Sequence, residues 1–237
     1  MNFNQMKEIM DSEKLNHYLK VHQLENIFNG ALMPYISLYQ VESGECICSQ
    51  GDRVNYLYVL VKGKVKVYTT SVEGKNLILS FKTPLEVIGD IEYIQGIDII
   101  NTVEAVSDVY VIGIHHQWLK KYTEGQPAFL QFLLRVITQK FYVKSKSLSF
   151  NLMHPVEVRL ASYLLSVSFD ETNAQITGRL NTESLKDTAN FIGTSYRHLN
   201  RVILQLCRDG LIDRSDGFIQ VKDWEGLKAL SSHNIYE

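Results

Sequence analysis

Tyr196, Arg197, Asn200 and Arg201 fall at the spacing of one helical face and combine a phenol, two guanidinium groups and an amide. Such groups suit a polyanion with readable edges. Guanidinium groups neutralise phosphates and pair with guanine O6 and N7, and an amide suits adenine. From Thr194 to Arg208 the chain carries Arg197, Arg201, Arg208 and His198 with no carboxylate, so the charge there is locally positive. Ser195 and His198 join the set in supporting or backbone-contacting roles. A basic amphipathic helix can also be a plain solvated surface element, so the neighbouring elements must decide.

Those elements are legible. Leu199, Val202, Ile203 and Leu206 fill the opposite side of the same helix, which therefore packs on one face and meets something on the other. Upstream, Ser184 with Asp187 forms a capping box, and Leu185, Ala189 and Ile192 recur at helical intervals before Gly193. The pair reads as a helix-turn-helix with its tight turn on Gly193. After Gly210, Leu211-Ile212 and Phe218 to Val221 flank the turn signal Ser215-Asp216-Gly217, which predicts a β-hairpin wing. Arg214 and Lys222, on or near that hairpin, are placed to touch phosphates and so to position the domain without reading sequence.

The remaining chain must carry that reading head. Residues 2–28 read as helical, with Met6, Ile9, Met10, Leu15, Leu19, Leu24 and Ile27 at roughly helical intervals. From Tyr35 to Ile114 short β-type runs such as YLYVLV, VKVYTT and NLILSF alternate with turns at Gly44, Gly51-Asp52, Gly63 and Gly74, which predicts a β-roll or jelly roll. After Pro127 one long helix shows two apolar stripes. Phe129, Phe132, Leu133, Val136 and Val143 form one, and Leu130, Leu134, Ile137, Phe141 and Leu148 form the other. The second stripe suits a homodimer seam, the alternative being a helix sandwiched within one subunit. Pro155 marks a hinge before a helix from Val156 to Val167. The fold class is therefore α+β: residues 1–118 form N-terminal helices and a double-stranded β-helix, 119–152 a long dimerisation helix and hinge, and 153–237 a winged helix-turn-helix.

A β-roll, a long helix and a winged helix-turn-helix in that order resemble the Crp/Fnr family of bacterial transcription regulators. The markers are Gly44, Gly51-Asp52, Leu57-Tyr58, Gly63, Val87-Ile88-Gly89-Asp90, and the run from Ala189 to Ile212; the string TSYRHLNRV also resembles the YeiL-like subgroup. The resemblance implies a homodimer whose two recognition helices enter successive major grooves of a palindromic operator on double-stranded DNA. It implies a guanine-reading role for Arg201. At the position of Arg197 the family usually has a glutamate, so a donor here reverses the hydrogen-bonding polarity and points to a different operator. Tyr196 would pack on a thymine methyl or touch a phosphate, and Asn200 would read adenine or bond the DNA backbone. RNA polymerase is an implied partner, through the polar stretch Ser168 to Asn173.

On the effector side, the family's cyclic-nucleotide sensors begin a phosphate-binding segment with Gly-Glu and end it with Arg-Ser. Here it begins with Gly89-Asp90 and ends near Asn101-Thr102, with no arginine between Gly89 and His115. Burying a phosphate without a cation is costly, so cyclic AMP is not expected as the effector in the usual way. Asp90 either lines a pocket or is a turn carboxylate beside a structural glycine.

Three cysteines in one subunit cannot supply a four-thiolate iron–sulfur cluster, and they point to a reducing compartment. Cys46 and Cys48, two apart on a strand, would share a face, either for oxidant sensing or a soft metal or simply as core residues. No metal site and no catalytic residue is expected. A cupin-type enzyme would need strand histidines, and Leu24 to Ile114 has none. Neither a glycine-rich nucleotide loop nor a nucleophile elbow appears. A regulatory or interaction module with a cyclic-nucleotide-binding-like domain and no DNA binding is the alternative function. The N-terminal stretch lacks a signal-peptide core, and Tyr56 to Val61 is too short to span a bilayer, so no membrane partner and a cytoplasmic location are expected.

Overall fold

The computed structural model describes residues 6–28, 30–72, 74, 76–123, 125–168, 179–182 and 185–231. The chain forms two compact units, residues 1–141 and 142–237, and the division falls inside a single helix, α4 (Pro127–Met153).

The first unit is a two-sheet β-roll with helices. Its strands are β1 (Lys7–Ile9), β2 (Ile36–Val41), β3 (Cys46–Cys48), β4 (Tyr56–Lys62), β5 (Val65–Thr70), β6 (Asn76–Lys82), β7 (Glu86–Ile88), β8 (Thr102–Ala105) and β9 (Val109–His115). Its shorter helices are α1 (Ser12–Val21), α2 (Asp90–Gln95) and α3 (His116–Thr123). One antiparallel sheet runs β1-β2-β9-β4-β7 and the other β3-β8-β5-β6. The unbroken apolar run of β4 reflects two buried faces. Leu57, Val59 and Val61 pack with Phe28, Ile112, Leu119, Phe129 and Phe132, while Tyr58 and Leu60 pack with Val41, Ile47, Val65, Val103 and Val111.

The N-terminal helix is shorter than the periodicity predicts. Lys7 to Ile9 pair antiparallel with Gln40 to Leu38, and Asp11 caps α1 by accepting from the Lys14 amide at 2.9 Å. Helix therefore starts only at Ser12, and strand pairing takes the residues before it. Its far end is closed by Gln23, which adopts a positive φ of 55°.

His116 opens α3 with its backbone amide donating to the Asn55 carbonyl at 2.8 Å and its ring edge-on to Tyr93 at 4.8 Å. Among the described residues its Nε2 is buried without a hydrogen-bond partner. Burial, with His115 beside it, lowers its pKa from 6.5 to about 4. Between those values the unfolded chain binds a proton that the folded chain refuses, so the stabilisation present above pH 6.5 is lost as the pH falls towards 4. We expect the urea midpoint of the first unit to drop across this window, and less so in His116→Gln. An equal drop in both proteins would count against His116 as the source.

The second unit contains α5 (Val156–Ser168), β10 (Arg179–Asn181), α6 (Leu185–Phe191), α7 (Tyr196–Arg208), β11 (Ile212–Ser215), β12 (Phe218–Val221) and α8 (Trp224–Leu230). Leu160, Leu164, Leu185, Ile192, Leu199, Ile203, Ile219 and Leu227 are all buried. At the wing tip Asp216 and Gly217 have φ of 50° and 80°, the paired left-handed conformation of a two-residue hairpin turn. β10 adds a third strand in the order β10-β12-β11. Three residues with polar ends give no alternating pattern, so this strand is not evident in the sequence.

Candidate nucleic-acid interface

The turn between α6 and α7 is held from three directions. Gly193 has φ +68°, and the Thr194 amide reaches back to the Ala189 carbonyl at 2.8 Å. Arg159 of α5 donates from Nη1 to the carbonyls of Ile192 and, at 3.1 Å, Gly193. These are carbonyls at the end of α6 that the helix itself leaves unpaired. A Cβ on Gly193 would meet that same nitrogen at 3.2 Å. Ser195 then caps α7, its Oγ accepting from the His198 amide at 3.2 Å. Ser195 thus has a structural task at the start of the helix. Ser184 of the expected capping box lies outside the described residues, as does 169–173 of the stretch assigned to RNA polymerase.

Packing divides α7 as its sequence predicts. Leu199, Val202, Ile203 and Leu206 are buried, whereas Tyr196, Arg197, His198 and Arg201 are exposed. Neither Arg197 nor Arg201 forms an ion pair among the described residues, so both keep their donors for a partner. Asn200 is half-buried, and Arg214 from the wing is hydrogen-bonded to it rather than extended on its own. Lys222 lies 3.7 Å from Asp213, but both side chains are well exposed and such a pair is weak.

The residues of the expected effector segment have separate partners. Gly89 caps α2 with φ 87°, and a Cβ there would come within 3.0 Å of the Tyr56 carbonyl. Asp90 is only 2% exposed, and its Oδ1 accepts from Lys140 Nζ at 2.9 Å. The same ammonium reaches Glu86 at 2.8 Å and the Val87 carbonyl at 2.6 Å, which saturates its three donors. Burial alone would lower the Lys140 pKa, but Glu86 and Asp90 outweigh it and the net shift is upward. Elsewhere, Thr102 Oγ1 accepts from the Gln50 amide at 3.1 Å, and the Asn101 carbonyl lies 3.9 Å from Cys48 Sγ.

Lys140 is absent from the sequence-based site, yet the signal was present. It continues the stripe of Phe129, Leu133 and Val136 at the same 3–4 residue spacing, and a lysine on a buried stripe calls for buried acids.

The expectation that Cys46 and Cys48 share a face does not hold. A register shift between them sets Cys46 opposite Glu104 and Cys48 opposite Val103, adjacent residues that point to opposite sides of β8. Cys48 is in the core, where burial raises its pKa to about 12. Such a thiol is inert.

Comparison with known proteins bears on both units. The cyclic nucleotide-binding domain family matches residues 39–125, and the Crp-like helix-turn-helix domain family matches residues 158–230, together about two thirds of the chain. The chain belongs to the Crp/Fnr family.

Crp/Fnr relatives match along most of its length. Regulatory protein YeiL of Escherichia coli O157:H7 is 25% identical over 82% of this chain and 85% of its own. A CRP-like cAMP-activated global transcriptional regulator of Mycobacterium tuberculosis is 21% identical over 78% of this chain and 83% of its own. A solved Crp/Fnr-family structure from Eubacterium rectale ATCC 33656 superposes with TM-score 0.74 at 20% identity, covering 91% of this chain and 99% of that one. This Crp/Fnr protein is thus a DNA-binding transcription regulator and not an enzyme, and the alternative of a module without DNA binding is not favoured. Among the described residues no helix is long and apolar enough to cross a membrane.

Proposed function

We propose that this regulator acts in the cytoplasm as a homodimer on a palindromic operator, reads bases through Arg197 and Arg201, and does not take cyclic AMP in the family's usual way. The observation that carries the reading is the outward face of α7, where two unpaired arginines stand on a helix whose other face is buried. Tyr196 and His198 flank them as contacts to bases or backbone. Dimerisation is supported by the second stripe of α4: Leu130, Leu134, Phe141 and Leu148 are 54%, 67%, 73% and 62% exposed, and the last three recur every seven residues.

The effector segment argues against the cyclic nucleotide that the Mycobacterium tuberculosis relative is named for. A cyclic phosphate needs a buried cation that the segment lacks, and Asp90 is already engaged by Lys140. Recruitment of RNA polymerase is part of the same proposal and rests on the family likeness.

Arg201→Ala tests the reading. We expect a loss of about 1–3 kcal/mol and relaxed preference at one base-pair position per half-site. If that variant shifts its operator at the wild-type concentration and with the wild-type preference, Arg201 is not a base reader.

A further inference from the structure

We propose that Arg214 on the wing is a specificity-determining positioning residue: it holds the amide of Asn200 in the one orientation that selects adenine. This rests on the DNA-reading function above and departs from the expectation that Arg214 contacts a phosphate. The Asn200 Nδ2 donates to the Tyr196 carbonyl at 3.0 Å, and its Oδ1 accepts from Arg214 Nη1 at 2.9 Å. A carbonyl only accepts and a guanidinium only donates, so the two partners fix which end of the amide is oxygen. Turning the amide over would set nitrogen against guanidinium and oxygen against carbonyl.

Each amide atom keeps one further hydrogen-bonding position, a second hydrogen on Nδ2 and a second lone pair on Oδ1. A donor beside an acceptor is what adenine N7 and N6 require in the major groove. Arg214 can hold this arrangement because it sits in β11, paired with Ile219 of β12, in a hairpin closed by its own tight turn. Without Arg214, only the bond back to the Tyr196 carbonyl fixes the amide, so the reversed polarity and other rotamers cost less and the preferred one is held less firmly. Selection would then suffer more than overall affinity.

A phosphate contact makes the opposite prediction. It weakens binding uniformly across sequences and, when removed, lowers the slope of log affinity against log salt by about one.

The experiment selects sites for the full-length protein from a randomised DNA library and measures base preference and salt slope for Asn200→Ala, Arg214→Met and Arg214→Gln. Asn200→Ala should lower the preference for adenine at one position per half-site about tenfold. Arg214→Met should lower it at the same position by about three- to tenfold, leave the guanine read by Arg201 unchanged, and leave the salt slope at the wild-type value. Arg214→Gln, which keeps a donor without the charge, should recover part of the preference. The double variant Asn200→Ala with Arg214→Met should be no worse than Asn200→Ala alone.

An Arg214→Met protein with its adenine preference intact overturns the inference, whether or not the salt slope falls. A wild-type protein that enriches no site at all would instead overturn the DNA-reading function itself.

Discussion

Lys140→Met should destabilise the first unit by about 3–5 kcal/mol, the range seen when one partner of a buried ion pair is removed. The cation is shared by Glu86, Asp90 and the Val87 carbonyl, and the side chains of the two acids are 14% and 3% exposed. Methionine conserves most of the stem but takes the cation from both carboxylates, and Asp90, the more buried of the two, has the least access to water in its place. Asp90 Oδ2 is already buried with no partner among the described residues, so this acid has no reserve of hydrogen bonds. Asp90→Asn in the Lys140→Met background should restore part of the loss, because it removes the stranded charge.

The protein's two tryptophans allow the measurement. Trp118 lies in the first unit and Trp224 in the second, so urea unfolding in a Trp224→Phe background reports on the first alone. An unchanged midpoint would show that the cluster is dispensable. A companion titration of the wild-type protein with cyclic AMP by calorimetry should give no binding heat, and tight binding would refute the effector reading.

The second large effect is expected from Leu134→Glu combined with Phe141→Glu. Both positions are exposed on α4, so the monomer should keep its helical circular dichroism. At a dimer seam each contributes about 1.5–3 kcal/mol of apolar burial, and a carboxylate in its place must be dehydrated. Sedimentation should therefore show monomers at concentrations where the wild type is dimeric. Binding to a two-half-site operator should fall by about 10²–10⁴, the advantage that linked binding events gain over single ones. A variant that still sediments as a dimer would place the seam elsewhere.

Much of this architecture was legible because the patterns were long and mutually consistent. The period of α7 separated Leu199, Val202, Ile203 and Leu206 from the polar face, and the Asp216-Gly217 dipeptide located the wing turn. What escaped depends on contacts between distant parts of the chain. β1 exists because β2 offers it an edge, and β10 because β12 does. Local periodicity cannot report either. The cysteine pair was misjudged because a bulge is a matter of register between strands, not of spacing within one. Lys140 and Arg214 were missed as partners because Glu86, Asp90 and Asn200 lie far from them in sequence, 14 residues in the nearest case.

Arg159 separates two tasks that a reading helix usually combines. By fastening the end of α6 from α5, with Gly193 and Ser195 completing the turn, it sets the angle at which α7 leaves without itself belonging to the reading face. Aim and content are then encoded by different residues. If α7 reads bases as proposed, exchanges at 197, 200 and 201 should retarget the regulator while the pose of the helix is retained. Such a scaffold can acquire new operators by surface changes alone, and a library varied only at those three positions and at 214 should yield proteins that fold alike and bind different DNA.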